Sequence, residues 1–155
     1  MRKRLRKDSR YNQGKFNPQN LTKYKGSLPI IFRSSLELQA FKWMDRNPNI
    51  ISWGSESVII PYFSPLDMEK RVHRYFVDLV AHLKTKDGTI KKLLIEVKPS
   101  KQTTAPTYSP RKGKKTVLYE QTQFLINSAK WEAAKAWCDK NDYTFLILTE
   151  KHLRD

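Results

Sequence analysis

Residues 72–98 read VHRYFVDLVAHLKTKDGTIKKLLIEVK, two runs of β-forming residues on either side of a Lys-Asp-Gly turn. Val, Ile, Leu, Phe and Tyr dominate both runs, so a hairpin of strands 72–83 and 90–98 is predicted. On the second strand, alternation places Leu93, Ile95 and Val97 on one face and Leu94, Glu96 and Lys98 on the other. Glu96 and Lys98 are two residues apart, about 6.7 Å along a strand. An acid and a base therefore emerge side by side. Asp78 sits in the middle of Arg74-Tyr75-Phe76-Val77-Asp78-Leu79-Val80-Ala81, where a carboxylate is costly without a partner. The turn sets whether Asp78 meets Glu96. A two-residue loop pairs Asp78 with Val97 and sends the two carboxylates to opposite faces. A three-residue loop, Lys86-Asp87-Gly88 with Gly88 left-handed, pairs Asp78 with Glu96. Glycine in the third loop position matches the second geometry, and Asp78 and Glu96 are expected as neighbours on one face.

Two carboxylates abreast repel, and each resists ionising beside the other. A hard divalent cation removes that conflict, and all-oxygen ligands suit Mg²⁺, with Mn²⁺ as a substitute. Such a cation activates a water and offsets charge on a phosphoryl oxygen. Lys98 is placed to hold or help deprotonate that water, or to neutralise the developing negative charge. Glu37 is a further acid with two roles open to it. Ser34 and Glu37 have capping-box spacing at a helix start, and the same carboxylate is a candidate metal ligand.

The flanking sequence builds an α/β fold around the hairpin. Leu36, Ala40, Phe41 and Met44 recur at helical spacing after Ser34, and Asn47-Pro48-Asn49 ends that helix. Short strands are predicted over 50–53 and 57–61, then a loop over 62–70. A Pro-, Thr- and Lys-rich loop, 99–115, follows the hairpin. A helix over 117–140 carries Phe124, Trp131, Ala134 and Cys138 along one face. The run YTFLIL, 143–148, reads as a strand buried on both faces. The order predicts a mixed sheet flanked by helices, forming one domain over 29–155. Residues 1–28 lack periodicity and read as a flexible basic arm.

Thirty Lys and Arg against fifteen Asp and Glu give a formal charge of +15 over 155 residues. A domain this basic is expected to meet a polyanion, and charge alone does not separate DNA from RNA. In the arm, Arg2, Lys3, Arg4, Arg6 and Lys7 either order on a phosphate backbone or serve as a solubilising tail. Lys101, Arg111, Lys112, Lys114 and Lys115 flank the exit from the catalytic strand and are candidates to clamp DNA; a solvated loop is the alternative. Arg74 shares the predicted face of Asp78 and either reaches a phosphate or snorkels. His73 falls on the opposite face. His82 shares the Asp78 parity but lies too far along the strand. One cysteine, Cys138, excludes an internal disulfide and a Cys-pair zinc site, and a reducing, cytoplasmic setting is the natural reading. No apolar run is long enough for a membrane span, and the basic start leads into no apolar stretch of a secretory signal. The four tryptophans are expected to pack rather than stack on bases.

Asp78 followed by Glu96-Val97-Lys98 resembles the signature of the PD-(D/E)xK nuclease superfamily. Arg33-Ser34-Ser35-Leu36-Glu37, Asn47-Pro48, Trp53-Gly54-Ser55-Glu56, Ile60-Pro61-Tyr62, His73 to Asp78 and Ile95 to Pro99 are similar to the transposase-associated endonucleases. They are more similar still to the head-completion nucleases of T-even-like tailed bacteriophages, together with Lys23-Tyr24-Lys25-Gly26 and Lys130-Trp131-Glu132-Ala133-Ala134. The resemblance spans roughly residues 22–150. It implies a restriction-endonuclease-like fold and divalent-metal hydrolysis of double-stranded DNA, with Glu37, Asp78, Glu96 and Lys98 in the active site. Related nucleases sometimes place a substrate-orienting polar residue on the following helix, where Gln121 and Gln123 stand. Val77 replaces the proline of the signature, a position that shapes the strand and supplies no ligand. The phage likeness further implies action on packaged DNA before head–tail joining, head or neck proteins as partners, and a place in the host cytoplasm or the virion. Two other readings compete: a non-catalytic basic virion protein that binds nucleic acid, and a nuclease subunit of a transposition or restriction system. The first makes Asp78 and Glu96 accidental, in positions where they oppose an incoming phosphate.

Overall fold

The computed structural model describes residues 13–153. The predicted hairpin supplies the middle of its sheet. Strands β1 (Gly14–Phe16) and β2 (Ile30–Phe32) precede helix α1 (Ser35–Arg46). Then come β3 (Ile50–Ser55), β4 (Ile59–Phe63), β5 (Val72–Phe76), β6 (Leu79–Lys84) and β7 (Ile90–Val97). Helix α2 (Lys114–Asn141) and β8 (Thr144–Leu148) complete the order. The central sheet runs β3-β6-β7-β8, while β1-β2 and β4-β5 form separate two-stranded ribbons. The first two pairings are antiparallel and β7–β8 is parallel. A parallel pair needs a crossover, which α2 supplies. The result is the expected restriction-endonuclease-like mixed sheet with helices.

The loop joining β6 to β7 has the geometry its glycine demands. Thr85 N–H donates to the Thr89 carbonyl at 2.8 Å, Gly88 has φ 87°, and the register pairs Leu79 with Ile95 and Lys84 with Ile90. Alternation then divides the core. Leu79, Ala81, Leu93, Ile95 and Val97 pack with Ala40, Phe41 and Met44 of α1 and with Trp53. Leu94 packs on the opposite side with Trp131, Ala134 and Cys138 of α2 and with Ile60, Tyr62, Tyr75 and Val77. Each large apolar side chain so buried contributes about 1.5–3 kcal/mol.

Three expectations are corrected. The run 72–83 is not one strand. It breaks after Phe76, so β5 pairs with β4 while β6 joins the central sheet. Long-range bonds fix the break: Val77 N–H donates to the Val58 carbonyl and Glu56 N–H to the Asp78 carbonyl, both at 3.1 Å. The YTFLIL run forms an edge strand, with Leu146 37% exposed, because among the described residues nothing pairs beyond β8. Packing also begins well before residue 29. Phe16 contacts Phe41 and Trp53, and Tyr24 is buried against Trp53. Asp45, buried at the end of α1, accepts the N–H groups of Gln19 and Asn20 at 2.8 and 2.9 Å. A few aromatic anchors and one buried carboxylate thus order a segment whose composition reads as loop. Arg2, Lys3, Arg4, Arg6 and Lys7 lie outside the described residues.

Candidate active site

The β6–β7 register ends at the Leu79–Ile95 pair, which Asp78 and Glu96 adjoin, and the charge of Glu96 acts on the Asp78 carboxyl. Asp78 has left the strand, and its Oδ2 accepts the Val97 N–H at 2.8 Å. A side chain thus fills the ladder position of a missing carbonyl. Glu96 is buried on the Leu94 side of β7, and both of its oxygens are engaged. Tyr75 Oη donates to Oε2, and Lys98 Nζ lies 3.3 Å from Oε1. Without such partners a buried carboxylate is strongly disfavoured.

The electrostatics follow from crowding. Burial, then the charges of Glu96 and Glu37, push the Asp78 carboxyl well above its usual range, against the Val97 N–H and Lys98. Burial also raises Glu37, opposed by the Arg33 N–H and guanidinium and assisted by Glu56 and Glu96. Glu37 does cap α1: Ser34 Oγ accepts the Glu37 N–H at 3.1 Å, and Glu37 Oε2 accepts the Arg33 N–H at 3.0 Å. The same carboxylate lies close enough to Asp78 and Glu96 for their charges to interact. Burial first, and then Glu96, hold the Tyr75 hydroxyl protonated throughout the ordinary pH range, so it remains a donor.

Three participants escaped the sequence reading. Tyr75 was given no role in the sequence reading, and the break after Phe76 is what brings its hydroxyl to Glu96. Lys130, from α2, sits over the Tyr75 and Tyr62 rings at 5.5 and 5.8 Å. Burial lowers its pKa, and Glu96 partly restores it. Glu56, at φ 53°, pairs with Arg33 Nη1 at 3.3 Å. Only the family-like strings containing Lys130 and Glu56 carried a signal for them.

Other candidates lie elsewhere. Arg74, placed on the Asp78 face by parity, pairs across from Pro61 on the exposed face of the β4–β5 ribbon, over the Phe76 ring. The break after Phe76 overturns that parity. His73 binds Asp67 at 2.7 Å, and His82 lies by the Tyr143 ring. Lys112 is held by Glu120 at 2.9 Å and by the Thr107 carbonyl at 3.1 Å. Lys101, Arg111, Lys114 and Lys115 are exposed, the last two in the first turn of α2. Trp53 and Trp131 are core residues.

Among the described residues, no three His, Cys, Asp or Glu side chains form a ready cation cage. The donor chemistry nevertheless fits a hard divalent ion. The charge of Glu96 adds to the cost of ionising Asp78, which a nearby cation relieves. Mg²⁺ in particular is held by one or two carboxylates with water and phosphate oxygens around them.

A family model described as the TnsA-like endonuclease N-terminal domain matches residues 47–150, which include Asp78, Glu96 and Lys98. The chain is also 39% identical over 145 residues to the head completion nuclease of Enterobacteria phage T4, covering 91% of this chain and 93% of that protein. By these matches the chain belongs to the TnsA-like endonuclease family, within the nucleases its motifs resemble.

Proposed function

We propose that this protein is a divalent-metal-dependent DNA nuclease that hydrolyses phosphodiester bonds at Asp78, Glu96 and Lys98. The observation that carries the reading is the crowding of the Asp78 and Glu96 carboxylates beside the Leu79–Ile95 pair, with the Lys98 ammonium 3.3 Å from Glu96. Asp78 and Glu96 would hold a Mg²⁺ or Mn²⁺ ion, with Glu37 beside them. When bound, the ion supplies an activated water and offsets charge on the phosphate. The chain's own groups do the rest. Val97 N–H fixes the Asp78 carboxylate, and Tyr75 fixes one oxygen of Glu96. Lys98 is left to orient the attacking water or neutralise a phosphate oxygen. Lys101, Arg111, Lys114 and Lys115 supply exposed positive charge for the DNA backbone, an attraction that weakens with salt.

The likeness to a phage head completion nuclease supports a role on packaged DNA before head–tail joining, with head or neck proteins as partners. Among the described residues no helix is long and apolar enough to cross a membrane.

The test is plasmid cleavage with Mg²⁺ or Mn²⁺ and EDTA controls, for wild type, Asp78→Ala and Lys98→Ala. Cleavage is expected only in wild type with metal. Undiminished cleavage by both variants would remove these residues from the reaction.

A further inference from the structure

A groove of about 630 Å³ opens beside Lys98, between the 101–107 loop and the first half of α2. Lys98 and Lys101 line it, together with Tyr119, Gln123, Phe124 and Asn127 of α2. We propose that this groove holds an unpaired DNA strand next to the bond being cut, and so gives the enzyme a preference for duplex ends or junctions with single-stranded extensions. The proposal rests on the nuclease reading and specifies its substrate.

Three observations support it. The groove is preformed. Ser100 N–H and Oγ are held by Glu150, and Lys112 ties the far end of the loop to Glu120 of α2. Its chemistry is mixed in a way a duplex cannot use. Ammonium groups neutralise phosphates, whereas exposed ring faces such as that of Tyr119, 65% exposed, accept stacked bases. A duplex keeps its base faces inside the stack, away from such rings. Finally, Asn127, 9% exposed, lines the groove and carries an amide that can both donate and accept. A base edge within the groove presents the complementary donors and acceptors.

Fluorescence anisotropy of the full chain in EDTA tests the proposal without cleavage. The probes are a short blunt duplex and the same duplex carrying a single-stranded extension. The extension should tighten binding about tenfold, the scale of a stacked base. Tyr119→Ala should bring the ratio of the two affinities close to one, and Tyr119→Phe, which keeps the ring, should preserve it. Circular dichroism checks that α2 persists in each variant. Equal affinity of wild type for both probes, or an unchanged ratio in Tyr119→Ala, would overturn the groove assignment. Plasmid cleavage is read separately. Loss of the extension preference with cleavage intact refutes only the groove, and preference without cleavage refutes only the nuclease reading.

Discussion

Removing the Tyr75 hydroxyl should destabilise the metal-free protein by about 2 kcal/mol, because a buried hydrogen bond to a charged group contributes roughly 1.5–3 kcal/mol. Tyr75 is 3% exposed and Glu96 6% exposed, so water cannot replace the lost donor. In Tyr75→Phe the ring stays and no cavity opens. Lys98 keeps its contact with the other oxygen of Glu96. The effect therefore isolates one hydrogen bond. For a domain of this length the loss corresponds to a fall in Tm of about 4–8 °C. Urea unfolding in EDTA at pH 7 measures it, and the Glu96→Gln background closes a double-mutant cycle with an expected coupling of about 1.5 kcal/mol. Cleavage with Mg²⁺ should drop about 10–100-fold, the usual effect of losing a partner that orients a metal ligand. A Tm change under about 1 °C with no coupling to Glu96 would refute the claim that this hydroxyl fixes the carboxylate.

Two further outcomes follow from the charges. In EDTA, Asp78→Ala should bind DNA at least as tightly as wild type in a filter or anisotropy titration, since a negative charge has left the phosphate path; markedly weaker binding would contradict the site. Asp67, hydrogen-bonded by His73 and then Arg71, is held down to about 2. Its folded-state value lies below its unfolded one, so its stabilising effect is present above about pH 4 and is lost as pH falls toward about 2. Asp67→Asn should flatten that part of a Tm-against-pH series, and an unaltered acid limb would count against the pairing.

The hairpin was legible because its register depends on a local rule: a three-residue loop with Gly88 in the left-handed position. Ser34 and Glu37 likewise announced the start of α1. The break after Phe76 was not legible. Residues 72–83 are uniformly β-forming, and the bonds that split them come from Val58 and Glu56, in a preceding strand–loop segment. The face assignments upstream of Asp78 inherited that error, which is why Arg74 was drawn toward the site. Lys130 reaches the site only because α2 crosses behind the sheet, and no spacing in the sequence conveys that. The early β1 strand and Tyr24 were hidden by polar neighbours, since a handful of anchors suffices to order a short segment.

The strand break also ties two sheets together at the point where geometry matters most. Tyr75 belongs to the outer ribbon and Glu96 to the central sheet, and only Phe76, Val77 and Asp78 separate that tyrosine from Leu79, where the chain enters the inner layer. Any tilt of the ribbon against the inner layer would stretch the contact between the hydroxyl and the carboxylate. Whatever docks on the ribbon's outer face, where Phe63 and Val72 are exposed, therefore has a direct mechanical route to Glu96.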